Sequence, residues 1–293
     1  MELFTKNDIL ISVKENRLIK DKDLLESSLS MLKNGWPEMY AGGFSQVFAF
    51  TRGSTKWAIK IWHRVIPEIE LRYAALRNIQ SKLQLPYFGE FQFVNKGIII
   101  NGQLADFVRL EWIEGLKLTE FISKHLEDKE ALENLYRRFK TMFEDFHHNG
   151  ISHGDLQHEN IIICENGDIK LIDYDSICTS EIEGKADTCR GRIAFQHPVR
   201  IFSPMIASVR SDYFSELIIL LSIRAIIDNP ILWDKYNVVQ AEDRLIFKQE
   251  DFLNWDDAEI KRDLFLLKPE TIELTKALES YLSAHLFFEP VQF

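Results

Sequence analysis

The spacing of apolar positions changes period several times along the chain. Residues 1–38 are polar and mixed, with a helical pattern in "DKDLLESSLSMLKNG" that Gly35 and then Pro37 would end. Next the period shortens towards two. The runs Gln46 to Thr51 and Lys56 to Trp62 are rich in aromatic and β-branched residues, and "RGS" between them supplies turn chemistry for a hairpin. Pro67 opens "PEIELRYAALRNIQSKLQ", which carries a helical pattern with no breaker before Pro86. Two further strands, "GEFQFVNKGIIIN" and "LADFVRLEWI", flank Asn101-Gly102, the strongest short hairpin signal in the chain.

Helices dominate after Gly115. In "DKEALENLYRRFKTMFEDFHHNG" the residues Leu132, Leu135, Phe139, Met142, Phe143 and Phe146 recur at three- and four-residue steps, so one face is buried, and Asn149-Gly150 supplies the stop. "NIIIC" and "DIKLIDY" then form two short strands linked by the turn "ENGD". The apolar run from Leu217 to Ile227 contains Arg224 and is far shorter than the roughly 20 residues of a bilayer span, so it reads as a buried helix with no membrane role. The pattern predicts an α+β chain. Its parts are an N-terminal extension over 1–38, a small antiparallel sheet with one main helix over 39–113, and a mostly helical part over 114–293.

Composition narrows this picture. A 46% hydrophobic content with 12% aromatics is ample for a sizeable core. The formal net charge of −10 is spread without a tail, which argues against nucleic acid as a partner. Cys164, Cys178 and Cys189 form no CxxC pair and no even set, so they read as reduced thiols. The start "MELFTKNDILISVKEN" lacks the layout of a secretory signal, and a cytoplasmic protein is expected. His147, His148 and His158 have no paired spacing for zinc. Oligomeric state is not written in the sequence.

Candidate chemistry concentrates in "HGDLQHENIII" and "LIDYD". Asp155 precedes Asn160 by five positions and Asn160 precedes Asp173 by thirteen, and a tight hairpin would bring these loop and strand-end residues into one polar cluster. A hard divalent ion such as Mg²⁺, with Mn²⁺ as a substitute, takes oxygen ligands from a carboxylate and an amide, which suits Asn160 and Asp173. Asp155 then remains to accept a proton or orient a hydroxyl. Upstream, "AGGFSQV" is glycine-rich where backbone must approach a phosphate, and Lys60 is a charge inside an otherwise apolar strand, costly unless it meets an anion. Taken singly, each has a plainer use: a turn for "AGGFSQV", a snorkelling edge residue for Lys60, turn or helix caps for Asp173 and Asp212. Their joint order is what points to one site.

That order resembles the protein-kinase-like superfamily. "GGFSQV" is similar to its glycine-rich loop, "WAIK" to its strand lysine motif, "HGDLQHEN" to its catalytic loop and "DYD" to its magnesium-binding motif, over roughly residues 40 to 230. The resemblance implies a bilobal fold and an ATP- and Mg²⁺-dependent phosphotransferase. Asp155 would be the catalytic base, with Lys60, Asn160 and Asp173 completing the catalytic set. Gly42, Gly43, Ser45 and Val47 would cover the nucleotide, and Lys60 would hold its phosphates while pairing with Glu70, or else Glu68. Leu110 would be the gatekeeper, and the backbone of Glu111 and Ile113 would bond adenine. Asp212 resembles the carboxylate that braces the catalytic loop, and "FQHPVR" the end of the activation segment.

Several positions depart from the family pattern. The three glycine positions of the loop are Tyr40, Gly42 and Ser45. Gly154 stands where regulated protein kinases carry arginine, so a phosphate on Thr179, Ser180 or Thr188 would lack its bidentate partner. Gln157 replaces a lysine that neutralises the transferred phosphoryl, leaving Arg190 or Arg192 as substitute cations. Asp175 takes the place of the metal motif's glycine. "HGD" and "IDYD" also occur in small-molecule phosphotransferases such as aminoglycoside and choline kinases, whereas "AFQHP" resembles bacterial protein-kinase-like proteins. The favoured substrate is Ser or Thr of a protein. A small-molecule phosphotransferase and a nucleotide-binding pseudokinase scaffold are the alternatives.

Overall fold

The computed structural model describes residues 2–187, 191–236 and 243–283. Thr188, Cys189 and Arg190, and the closing stretch from 284 onward, lie outside the described residues. The chain has an α+β fold that divides into two units, residues 1–70 with 88–113, and residues 71–87 with 114–293.

The first unit is a six-stranded antiparallel sheet. Its strands are β1 (Ser28–Leu29), β2 (Met39–Ala41), β3 (Ser45–Arg52), β4 (Thr55–Trp62), β5 (Phe91–Ile100) and β6 (Gln103–Glu111). The order is β1-β3-β4-β6-β5, with β2 sharing the outer edge of β3. Both hairpins expected from the sequence form. At the second, Asn101 and Gly102 both take positive φ, 46° and 79°, the pair of left-handed residues that matches the twist of two antiparallel strands.

The helix expected over residues 21–35 does not form. Asp21 caps a single turn, α2 (Lys22–Leu25), by accepting from Leu24 N at 2.8 Å. Beyond it, Ser28 and Leu29 pair with Thr51 and Phe50. The serine-rich "ESSLS" gains little from continuing a helix, while the edge of β3 offers unpaired backbone groups. Helix α1 (Lys6–Lys14) precedes it, opened by a capping box between Thr5 and Asp8. It inserts Ile9 and Val13 into a core with Phe48, Phe50, Ile59, Ile98 and Phe107.

The helix after Pro67, α3 (Ile69–Leu83), starts in the first unit and continues into the second. The second unit goes on with β7 (Leu116–Lys117), α4 (Leu118–Lys124), α5 (Lys129–Asn149), β8 (Ile161–Ile163), β9 (Ile169–Leu171) and α6 (Tyr213–Asp228). It closes with α7 (Ile231–Lys235), α8 (Gln249–Leu253), α9 (Glu259–Leu264) and α10 (Pro269–Ser283). Helix α5 buries the six apolar positions expected, plus Tyr136, and ends on Gly150 in the left-handed conformation. Helix α6 is buried along nearly its whole length, as its apolar run requires. Its one arginine, Arg224, is matched by Glu133, Asp228 and Glu270. Among the described residues no helix is long and apolar enough to cross a membrane.

Candidate active site

In the second unit, the left-handed cap at Gly150 turns the chain out of α5 into the loop that carries His153, Gly154 and Asp155. Asp212, at the start of α6, accepts from the backbone N–H groups of His153 and of Gly154, the latter at 3.0 Å. Its side chain caps nothing in α6 itself. The carboxylate is almost wholly buried and burial pushes its pKa up, while the two amides favour its charged form. His153 is fully buried, with Nε2 2.9 Å from Ile172 O and the edge of its ring on Tyr174. It packs beneath the loop.

Gly154 has φ +80°, and a Cβ there would lie 2.2 Å from Ser176 O. Only glycine fits, so the arginine of the related pattern is excluded by backbone and not merely absent. Asn160 ties the loop to the second hairpin strand. Its Nδ2 donates to Asp155 O at 2.8 Å and to Asp155 Oδ2 at 3.2 Å, while Ile172 N donates to Asn160 O at 2.9 Å. The hairpin of β8 and β9, paired Ile161 to Leu171, therefore brings Asn160 beside the exit on which Asp173 sits. Asp173 itself takes φ 68°, a left-handed conformation that aspartate and asparagine adopt more readily than other non-glycine residues.

These residues fit a hard divalent cation. With Nδ2 directed at Asp155, Asn160 retains Oδ1 as a neutral oxygen donor, and Asp173 supplies a carboxylate. Such a sparse set suits Mg²⁺, which keeps waters and shares phosphate oxygens. No group of three or more His, Cys, Asp or Glu side chains able to hold a metal occurs among the described residues. Asp175, two positions on, is nearly buried and accepts from Tyr73 Oη at 3.0 Å.

Other expected residues have different surroundings. Gln157 Oε1 accepts from Glu159 N at 2.9 Å, capping the short turn of residues 158–160. Arg192 is bonded to Glu159, which also has Lys117 at 3.8 Å. Arg190, the other substitute cation, lies outside the described residues. Thr179 is buried, with Oγ1 accepting from Glu181 N, so it offers no hydroxyl at the surface.

In the first unit, Gly42 N donates to Ser45 O at 2.9 Å and closes a tight turn that contains Gly43. Val47 faces Lys60 across the β3–β4 pair, and Lys60 faces Val108 on the other side. Lys60 is 2% exposed, so its ammonium is withdrawn from water along with its stem. Leu110 lies on β6 opposite Ala58. Glu111 N donates to Glu90 O at 2.7 Å, so that donor is committed within the unit. Glu70 is exposed at the start of α3 and accepts from Asn95 Nδ2 at 3.0 Å, and Glu68 is exposed with φ 57°.

Three residues of this region escaped sequence reasoning. Arg72 and Tyr73 sit within a helical pattern in which arginine reads as surface and tyrosine as core. Gly191 follows the segment after Asp173, and a Cβ on it would come 3.0 Å from Asp155 Oδ1. Its spacing from Asp155 matches no periodic signal.

Comparison with known proteins adds an independent line. Residues 41–278 match the family described as "Protein kinase domain". The chain is 28% identical over 131 residues to Protein kinase kin1 of Schizosaccharomyces pombe, covering 44% of this chain and 14% of that one. It is 36% identical over 70 residues to a probable serine/threonine-protein kinase KIN1 homolog of Encephalitozoon cuniculi, 23% of this chain and 12% of that one. A longer match, 24% identical over 194 residues, is to the maternal embryonic leucine zipper kinase of Danio rerio, covering 62% of this chain and 27% of that one. The chain thus spans well under half the length of the curated relatives it matches.

Proposed function

We propose that this chain, which belongs to the protein kinase domain family, transfers the γ-phosphate of ATP to a serine or threonine hydroxyl of a protein, and that it works in the cytoplasm. The observation that carries the reading is the loop from His153 to Asn160. There a buried carboxylate, Asp212, fixes the backbone, and Asn160 holds Asp155 by its main chain and its side chain together.

Asp155 orients the attacking hydroxyl and accepts its proton as the new O–P bond forms and the bond to ADP breaks. Asn160 and Asp173 would hold Mg²⁺, which supplies charge neutralisation for the phosphates when bound. Lys60 supplies the cation for the α- and β-phosphates, at a depth where an ammonium is stabilised only by an anion. Gly42, Gly43, Ser45 and Val47 cover the phosphates, Leu110 bounds the adenine pocket, and Glu111 and Ile113 line it. Glu70 has its carboxylate on Asn95, so its support of Lys60 would require a different side-chain direction. With Oε1 of Gln157 engaged by Glu159 N, only its amide N–H groups are left to donate, and no positive charge reaches the phosphoryl from this position.

The test is to incubate purified protein with Mg-ATP and generic protein substrates and to follow ADP release and label transfer, beside Asp155→Ala. Transfer to protein that the substitution abolishes supports the reading. ADP release tied to a small hydroxylated metabolite overturns the choice of substrate. Nucleotide binding without turnover overturns the catalytic assignment.

A further inference from the structure

Arg72 is the most deeply buried cation among the described residues. Its relative exposure is 0%, in the first turn of a helix whose pattern would place an arginine in water. Its Nη1 donates to Ile177 O at 3.0 Å, its Nη2 donates to Ala186 O at 3.1 Å, and Nη2 lies 3.5 Å from Asp187 Oδ1. Asp187 is buried too. One planar guanidinium thus closes the loop from Ile177 to Ala186 at both ends, a task that a lysine point charge cannot perform.

The same loop is tied elsewhere. Ser152 and Cys178 exchange backbone bonds at 3.0 and 2.9 Å, next to the residues that present Asp155. Asp187 N donates to Met205 O and Gly184 N to Ala207 O, which fastens the far end to the stretch before α6. Beside Arg72, Tyr73 donates to Asp175. Successive residues of α3 therefore hold the chain just after Asp173 and again near Asp187. The anion that this arginine needs is the carboxylate of Asp187, part of the chain itself; inside the loop Thr179 is buried and Ser180 is exposed.

We propose that Arg72 is a positioning residue for phosphotransfer: paired with Asp187, it holds residues 177–187 against α3 and so fixes Asp173 and Asp155 without any modification of that segment. The inference rests on the reading given under Proposed function.

It is tested with full-length Arg72→Met, Arg72→Lys and Asp187→Asn, each assayed well below its own unfolding midpoint. Readouts are kcat, KM for ATP, and amide hydrogen exchange of Cys178 and Asp187. The expected result for Arg72→Met is a fall in kcat of roughly tenfold or more with KM for ATP changed by less than about twofold, since mispositioning costs the reaction more than ground-state binding. Exchange at Cys178 and Asp187 accelerates in step, and Arg72→Lys recovers only part of the rate. A lower unfolding midpoint with kcat and local exchange unchanged overturns the proposal, because Arg72 would then only stabilise the fold. Activity lost in Asp155→Ala but kept in Arg72→Met sinks this inference and leaves the kinase reading standing. A wild-type chain without transfer sinks both.

Discussion

Asp212 accepts from the backbone N–H groups of both His153 and Gly154, so a single buried carboxylate sets the turn that presents Asp155. Replacing it with alanine strands two buried donors. The expected cost is about 3 kcal/mol of stability together with a clear loss of kcat. Asp212→Asn keeps one acceptor and should lie between alanine and wild type. Urea unfolding and steady-state rates on the same preparations check this.

Gly154 admits no side chain. With φ +80° and Ser176 O directly in the path of a Cβ, Gly154→Ala should cost at least about 1–2 kcal/mol for the left-handed backbone alone, before the clash is relieved. Gly154→Arg, which would recreate the regulated form of the loop, should yield no folded protein. Circular dichroism melting of the two variants tests the ordering.

Glu216 on α6 is buried, and burial raises its pKa from 4.5 to about 7, with His147 at 2.6 Å pulling the other way. Between those values the unfolded chain has released a proton that the folded chain still holds. Stability conferred by this site therefore falls as pH rises through the window. The penalty is fully present above it, on the order of 3 kcal/mol. Glu216→Gln should gain stability relative to wild type as pH goes from about 5 to about 8, with most of the gain between 5 and 7. Melting temperatures across that range would show the crossover, and parallel curves would contradict it.

Asn160 and Asp173 make a further prediction, through binding rather than turnover. ATP with Mg²⁺ at roughly 100 times its Kd should stabilise the wild type by about 2.7 kcal/mol. Asp173→Asn should lose most of the Mg²⁺-dependent part of that shift. A thermal-shift series with and without chelator measures it, and equal shifts in both proteins would remove Asp173 from the metal site.

Much of this architecture was legible because its signals are local. Asn101-Gly102, Gly150, and the isoleucine strands around "ENGD" each fix backbone geometry within a few residues, and each formed where expected. Clustering of Asp155 with Asn160 followed from the same hairpin logic. What stayed hidden depends on partners distant in sequence. The turn at residues 22–25 gave way to a strand because β3 offers an open edge, and nothing in "ESSLS" announces that edge. Glu70 is the helix carboxylate that the resemblance pairs with Lys60, while in the structure it accepts from Asn95 on β5, which β6 separates from the β4 strand of Lys60. Arg72 gave no signal in the sequence, because two of its acceptors are backbone carbonyls more than a hundred residues away, which carry no residue identity to read.

Those acceptors also order events during synthesis. Ile177 follows Arg72 by 105 residues and Ala186 by 114. At ~5–20 residues per second, α3 leaves the ribosome several seconds before either carbonyl exists. Until then the Arg72 guanidinium lacks the carbonyls that accept from it in the folded chain. Docking of residues 177–187 on α3 therefore cannot be complete before residue 186 has been synthesised.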